Sequence, residues 1–366
     1  MDAGKLGLLD NLRFSNGPEG LKNYFRELLR VDRDSALSVI NDNDTRFGTL
    51  YLLKSELPEK LVQNDLNPLY RKALDLAGSL TGKVSPKIEG RIRKSGEDTA
   101  FTLRWIIRTG LPEDGLGNRY EQLMERAAAL LVKSFGDTSV LPELVEMIFE
   151  RNRRGALLRE LVWAFFEARC PESLRLVAKR LESMDKRDVE LAKKLLCFIP
   201  GISDNAPTGA TGIMTADAAG SMKGNMERNM AKETARNISM NAGDGLTGAG
   251  LHTIALNWLE ENQQFLYYTG ESMHLCSMPQ HYRVSWSAKY MCRSVSVDNG
   301  QPLLEYQPAE IEILSRFENL PETLQKQLAD YSHIFYKRNI SQWNAWIRLP
   351  VKEQAAAASL GMEGWI

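Results

Sequence analysis

With 366 residues, of which 43% are hydrophobic and 25% charged, the chain is long enough for two or three packed domains, and its composition excludes a stapled miniprotein, a fibre and wholesale disorder. The 46 basic and 47 acidic residues leave a net charge of -1, so no chain-wide field gathers nucleic acid or anionic lipid, and any such binding has to be local. Four scattered cysteines, Cys170, Cys197, Cys276 and Cys292, do not make a secreted disulfide framework. The opening MDAGKLGLLDNLRF lacks the apolar core of a signal peptide, and no apolar run reaches the ~18 to 20 residues of a membrane span. The expectation is a cytoplasmic protein without a membrane partner.

The first 200 residues read as successive helices. Leu21, Tyr24, Phe25, Leu28 and Leu29 fall at i, i+3, i+4, i+7 and i+8, which is one stripe of a helix, and Pro18 suits its first position. Gly82-Lys83 lacks the upstream glycine and the following hydroxyl of a phosphate loop, so it reads as a turn between helices. Between Glu121 and Phe198 the apolar pattern repeats. Leu141 returns as Leu174, Leu144 as Val177, Ile148 as Leu181, Leu158 as Leu191, Val162 as Leu195 and Phe165 as Phe198, always 33 residues on. A constant offset through two consecutive amphipathic helices predicts two copies of a helix-turn-helix unit. Residues 125 to 200 thereby resemble HEAT or armadillo-like α-solenoid repeats. That resemblance implies an extended surface for partners and carries no catalytic motif.

The same region is locally basic. Between Arg151 and Lys194 twelve Lys and Arg face seven Asp and Glu, a balance of 12 - 7 = +5. Arg151, Arg153, Arg154, Lys179, Arg180, Lys186, Arg187, Lys193 and Lys194 are therefore the candidate partner-binding residues. They would meet nucleic-acid phosphates or an acidic protein if they form one groove; charges that compensate helix dipoles on solvated faces are the simpler account.

Residues 201 to 250 contain nine Gly, nine Ala and no aromatic residue, which predicts a flexible linker. Met222, Met226 and Met230 within it share the i, i+4, i+8 spacing of a short amphipathic helix. Gly243, Gly245 and Gly248 satisfy G-x-G-x-x-G, but no buried strand precedes them to aim a dinucleotide turn.

From Leu251 onward aromatic residues return, with five of the seven Trp. A helix is expected over 252–264. Val284, Trp286, Ala288, Tyr290 and Cys292 alternate with polar neighbours, predicting a half-buried strand, and Asn299-Gly300 predicts a hairpin turn. Pro321 and Pro350 can each open a further helix. His274, Cys276, His281 and Cys292 bring four soft donors into nineteen residues, a ligand set suited to tetrahedral zinc, although their spacing matches no standard finger or ribbon. On its apolar face Cys292 also reads as a small hydrophobe.

The sequence thus predicts a mainly α protein: a helical, partly α-solenoid domain over 1–200, a linker over 201–250 and a smaller α+β domain over 251–366. The expected role is a non-enzymatic protein-protein interaction or scaffold protein. The alternatives are a nucleic-acid-binding helical-repeat protein using the basic 151–194 stretch and a metal-dependent C-terminal domain, with zinc as its metal. No catalytic residue and no other cofactor is assigned.

Overall fold

The computed structural model describes residues 7–81, 90, 92, 94–202, 248–272, 274–275 and 279–360, with side chains to 358. The architecture is mainly α, and the chain divides into two compact units, Met1–Ala168 and Arg169–Ile366. That division falls between the two 33-residue copies. Most of the expected linker, 203–247, lies outside the described residues, as do Gly82-Lys83, the methionine stripe and Gly243 and Gly245 of the glycine motif.

The N-terminal unit carries α1 (Leu8–Val31), α2 (Arg33–Ile40), α3 (Phe47–Leu53), α4 (Glu59–Asn64), α5 (Pro68–Leu80), α6 (Glu97–Gly110), α7 (Asn118–Phe135), α8 (Leu141–Arg154) and α9 (Arg159–Glu167). Gly17, at φ 71°, breaks α1, and Pro18 opens its second segment, as its fixed φ and missing N–H favour. That segment buries Leu21 and Phe25 and leaves Tyr24 partly exposed. Two side-chain caps set helix starts: Asp32 accepts from the Ser35 N–H at α2, and Asn67 accepts from the Leu69 N–H at α5. Gly136 and Gly155 end α7 and α8 in the left-handed region, where a side chain would be strained. The core is aromatic at its centre, with Tyr120 stacked on Phe47 and Trp105 stacked on Tyr70.

The C-terminal unit begins with 3₁₀ turns around α10 (Leu174–Ala178) and continues through α11 (Lys186–Leu195) and α12 (Gly248–Asn262). At Gly248 a Cβ would lie 2.3 Å from the Leu181 carbonyl oxygen, so this glycine allows a helix start to press on the 3₁₀ turn at 179–182. Strands β1 (Leu266–Tyr268) and β2 (Tyr282–Val284) then pair antiparallel, with Tyr267 opposite Arg283. Four helices close the unit after α13 (Trp286–Tyr290): α14 (Pro308–Glu318), α15 (Glu322–Arg338), α16 (Ile340–Trp346) and α17 (Val351–Leu360).

The paired positions of the 33-residue offset fall on α8–α9 and on α10–α11 with its adjoining turns. Leu141 and Leu174, Leu144 and Val177, Ile148 and Leu181, and Val162 and Leu195 are all buried. Phe165 and Phe198 differ. Phe165 is buried, whereas Phe198 is half-buried and leans edgewise on Trp258. Phe165→Ala is therefore expected to cost about 3 to 5 kcal/mol and Phe198→Ala distinctly less, as read from the urea midpoint of each variant.

The expected strand over 284–292 is corrected. Its first residue ends β2, and Trp286–Tyr290 is a helical turn closed by backbone bonds from the Lys289 and Met291 N–H groups to the Ser285 and Ser287 carbonyls. The alternation runs over the nine residues 284–292, but only the five of Trp286–Tyr290 are needed to close one helical turn, and here tertiary packing decides. The hairpin turn at Asn299-Gly300 is present. Val295 bridges Pro302 antiparallel, the Gly300 N–H donates to the Ser296 carbonyl, and Gly300 has φ 71°.

Candidate functional site

The helical turn α13 ends in a left-handed residue that is not glycine. The Cys292 N–H donates to the Lys289 carbonyl and the Arg293 N–H to the Ala288 carbonyl, the paired bonds of a Schellman ending, with Cys292 at φ 52° where glycine usually stands. The side chain accounts for the choice. Its thiol donates to the Ser332 carbonyl at 3.8 Å, and burial pushes its pKa up to about 12, with Ser332 opposing. Half-buried and held protonated, Cys292 is expected to react with a thiol reagent at pH 8 far more slowly in the folded unit than after unfolding, which mass spectrometry of the labelled peptide checks.

Ser332 is the polar centre of this region. Fully buried on α15, its hydroxyl donates to the Tyr290 carbonyl at 2.6 Å and accepts from Trp343 Nε1 at 2.7 Å, joining α13, α15 and α16 through one oxygen. Ser332→Ala leaves a buried indole N–H and a carbonyl unpartnered and should cost about 1 to 3 kcal/mol, measured from the thermal transition of the C-terminal unit. A second buried node lies beneath it. Gln354 accepts from the Tyr290 hydroxyl at 2.6 Å and donates to the Ile347 and Leu349 carbonyls at 3.0 Å, fixing α17.

These nodes hold a cleft of about 550 Å³ in the C-terminal unit. Met291 to Ser294 line it after α13, Leu303 and Leu304 come from the end of the hairpin, Glu310 from α14, Tyr336 from α15, and Ile340, Trp343 and Asn344 from α16. Leu303, Leu304 and Ile340 are 65%, 66% and 52% exposed, although large aliphatic side chains gain by leaving water. The charged groups cancel. Arg293 Nη2 lies 2.8 Å from one Glu310 carboxylate oxygen, while the other accepts the Gln307 N–H at 2.8 Å. Burial alone would raise the Glu310 pKa, but Arg293 and that N–H together hold the carboxyl below its usual range. The cleft is apolar at its rim and electrically spent within.

Among the described residues no group of three or more His, Cys, Asp or Glu side chains is placed to hold a metal ion. Cys276 lies outside them. His274 sits in an exposed turn. His281 is buried, with Nδ1 3.0 Å from the Glu271 carbonyl oxygen, and burial lowers its pKa to about 4 against that contact.

The basic residues divide between the two units. Arg151 is buried, for a reason no charge count reveals: its guanidinium donates to both carboxylate oxygens of Glu113, at 2.9 and 2.7 Å, to Glu125 at 2.5 Å and to the Glu121 carbonyl at 2.8 Å. Arg154 joins the cluster through Glu113 at 2.9 Å and Glu121 at 3.1 Å, and Arg153 is half-buried beside it in sequence. In the C-terminal unit Arg187 pairs with Asp185 and Lys193 with Glu190. Arg180 is half-buried, and Lys179, Lys186 and Lys194 are exposed.

No described helix is long and apolar enough to cross a membrane. No family model, curated protein or solved structure matches the chain.

The cleft was not foreseen. Leu303-Leu304 begins three positions past Gly300, and adjacent leucines after a turn signal are the one sign in the sequence that an apolar pair stands clear of any helix stripe.

Proposed function

We propose that the protein is a cytoplasmic, non-enzymatic interaction module, and that the C-terminal cleft takes an apolar segment of another protein. The partner's chemistry follows from charge. Because Arg293 and Glu310 neutralise each other, the site offers nothing to select a phosphate, a carboxylate or an ammonium, whereas three exposed aliphatic side chains at its rim gain by being covered. A helix presenting two or three large aliphatic residues at i, i+3 and i+7 suits a cleft of about 550 Å³. The observation that carries the reading is the exposure of Leu303, Leu304 and Ile340 around that cleft. The similar burial of most paired positions across the 33-residue offset supports the helical-repeat reading of that stretch.

A fluorescent amphipathic helical peptide bearing leucines at that spacing tests the site. Leu304→Asp, which places a charge where apolar contact is required, should weaken its binding at least tenfold, and Phe101→Asp, at another exposed apolar position, should leave it unchanged. Equal weakening by both substitutions, or by neither, would show that the cleft does not select the peptide.

A further inference from the structure

The neighbour of Ser332 on α15 carries an observation independent of what occupies the cleft. His333 is 3% exposed, and neither ring nitrogen has a hydrogen-bond partner, although a neutral imidazole brings one donor and one acceptor. Its ring stands edge-on to Phe265 at 5.0 Å. A buried polar ring without partners is costly at any pH, and costlier when charged, so its retention at the seam of several helices calls for a role that a leucine would not serve.

We propose that His333 is an acid-sensing latch, closed while the imidazole is neutral and released when a proton makes it a second buried cation beside Lys289. The surroundings bear this out element by element. From α13, Lys289 is buried, with Nζ donating to Asn262 at 2.7 Å and paired with Asp330, so that the carboxylate nearest in sequence to His333 is already engaged; the Tyr290 phenol is bonded to Gln354. On α15 itself, Lys337 stands one turn on and Tyr331 and Tyr336 flank the ring in sequence. Neither α16 nor the 3₁₀ turn at 263–265 has a titratable side chain, and Lys352 and Glu353 on α17 are exposed. Nothing here offers a proton on His333 an acceptor. Burial, then Lys337 and Lys289, accordingly lower its pKa to about 4.

The sign follows. An imidazole at about 4 in the closed seam and at its ordinary 6.5 once exposed binds protons more readily in the open state, so closure is fully supported above pH 6.5 and loses support as pH falls toward 4. At pH 5 the opening equilibrium should be about 30-fold larger than at pH 7.5. Because His333 adjoins Ser332, release would free the oxygen that joins Tyr290 and Trp343, and with them the cleft lining.

Amide exchange of the full chain, corrected for intrinsic rates, would measure this opening over 286–290 and 328–336 between pH 7.5 and 4.5. The rise of about 30-fold by pH 5 is expected in the native protein and should flatten in His333→Phe, or in His333→Leu if the larger ring is not accommodated. Opening that rises equally in native protein and variant overturns the latch. The native protein supplies a second reading whether or not the variants fold: with four histidines in the chain, an imidazole NMR titration should show the His333 ring unprotonated at pH 5, and a midpoint near 6.5 would contradict the inference.

Discussion

Arg151→Ala is expected to destabilise the N-terminal unit by about 3 to 5 kcal/mol, the cost of leaving a buried carboxylate without its cation. Glu113 is fully buried, and both of its oxygens receive Arg151; Arg154 reaches only one of them, from a partly exposed position. After truncation the Glu121 carbonyl also loses the bond it receives from Arg151. The urea transition of the N-terminal unit should shift by that amount. Replacing Arg151 and Glu113 together by apolar residues of similar volume should recover much of the loss, because the desolvation of both charges is then avoided. A single variant within 1 kcal/mol of the native protein would mean that water enters the cluster.

Trp346→Ala should be as costly to the C-terminal unit, about 3 to 5 kcal/mol. Fully buried on α16, Trp346 packs against Tyr290, Tyr331 and Phe335 at centroid distances of 6.2, 5.3 and 6.0 Å, and its indole N–H donates to the Gln354 carbonyl. Truncation opens a cavity between α13, α15 and α17 that these rings cannot all close. Circular dichroism during thermal unfolding should show the transition of this unit falling while the other holds. Loss of both together would show that the two units unfold as one.

Helical character was legible because apolar periodicity survives in segments such as Leu21 to Leu29 and in the 33-residue pairs. Pro18, Pro321 and the Asn299-Gly300 turn were equally readable, since each restricts the backbone on its own. The segment 284–292 misled because its apolar residues alternate over nine positions, of which the middle five, Trp286–Tyr290, close a helical turn. The backbone bonds from the Lys289 and Met291 N–H groups to the Ser285 and Ser287 carbonyls show that the turn and not a strand is formed, and Tyr290 then stacks on Phe317 at 4.1 Å. Charge was the weakest guide. Arg151 and Arg154 look like their basic neighbours, yet carboxylates 26 to 41 positions away decide that one is buried and the other partly so. The same holds for the cleft, whose lining residues come from five stretches between Met291 and Asn344. A site made of side chains that meet only in the folded unit leaves no spacing to find.

Site-specific photo-crosslinking in the native cell, with a photoreactive residue placed at Leu304 and, as reference, at Phe101, tests whether the cleft docks an apolar segment of another protein. A protein adduct is expected from Leu304 and not from Phe101, mapped by mass spectrometry to a segment with large aliphatic residues at helical spacing and lost when Ile340→Asp is added. An adduct to nucleic acid, a protein adduct mapped to a charged segment, or the same adducts from both positions would contradict such docking.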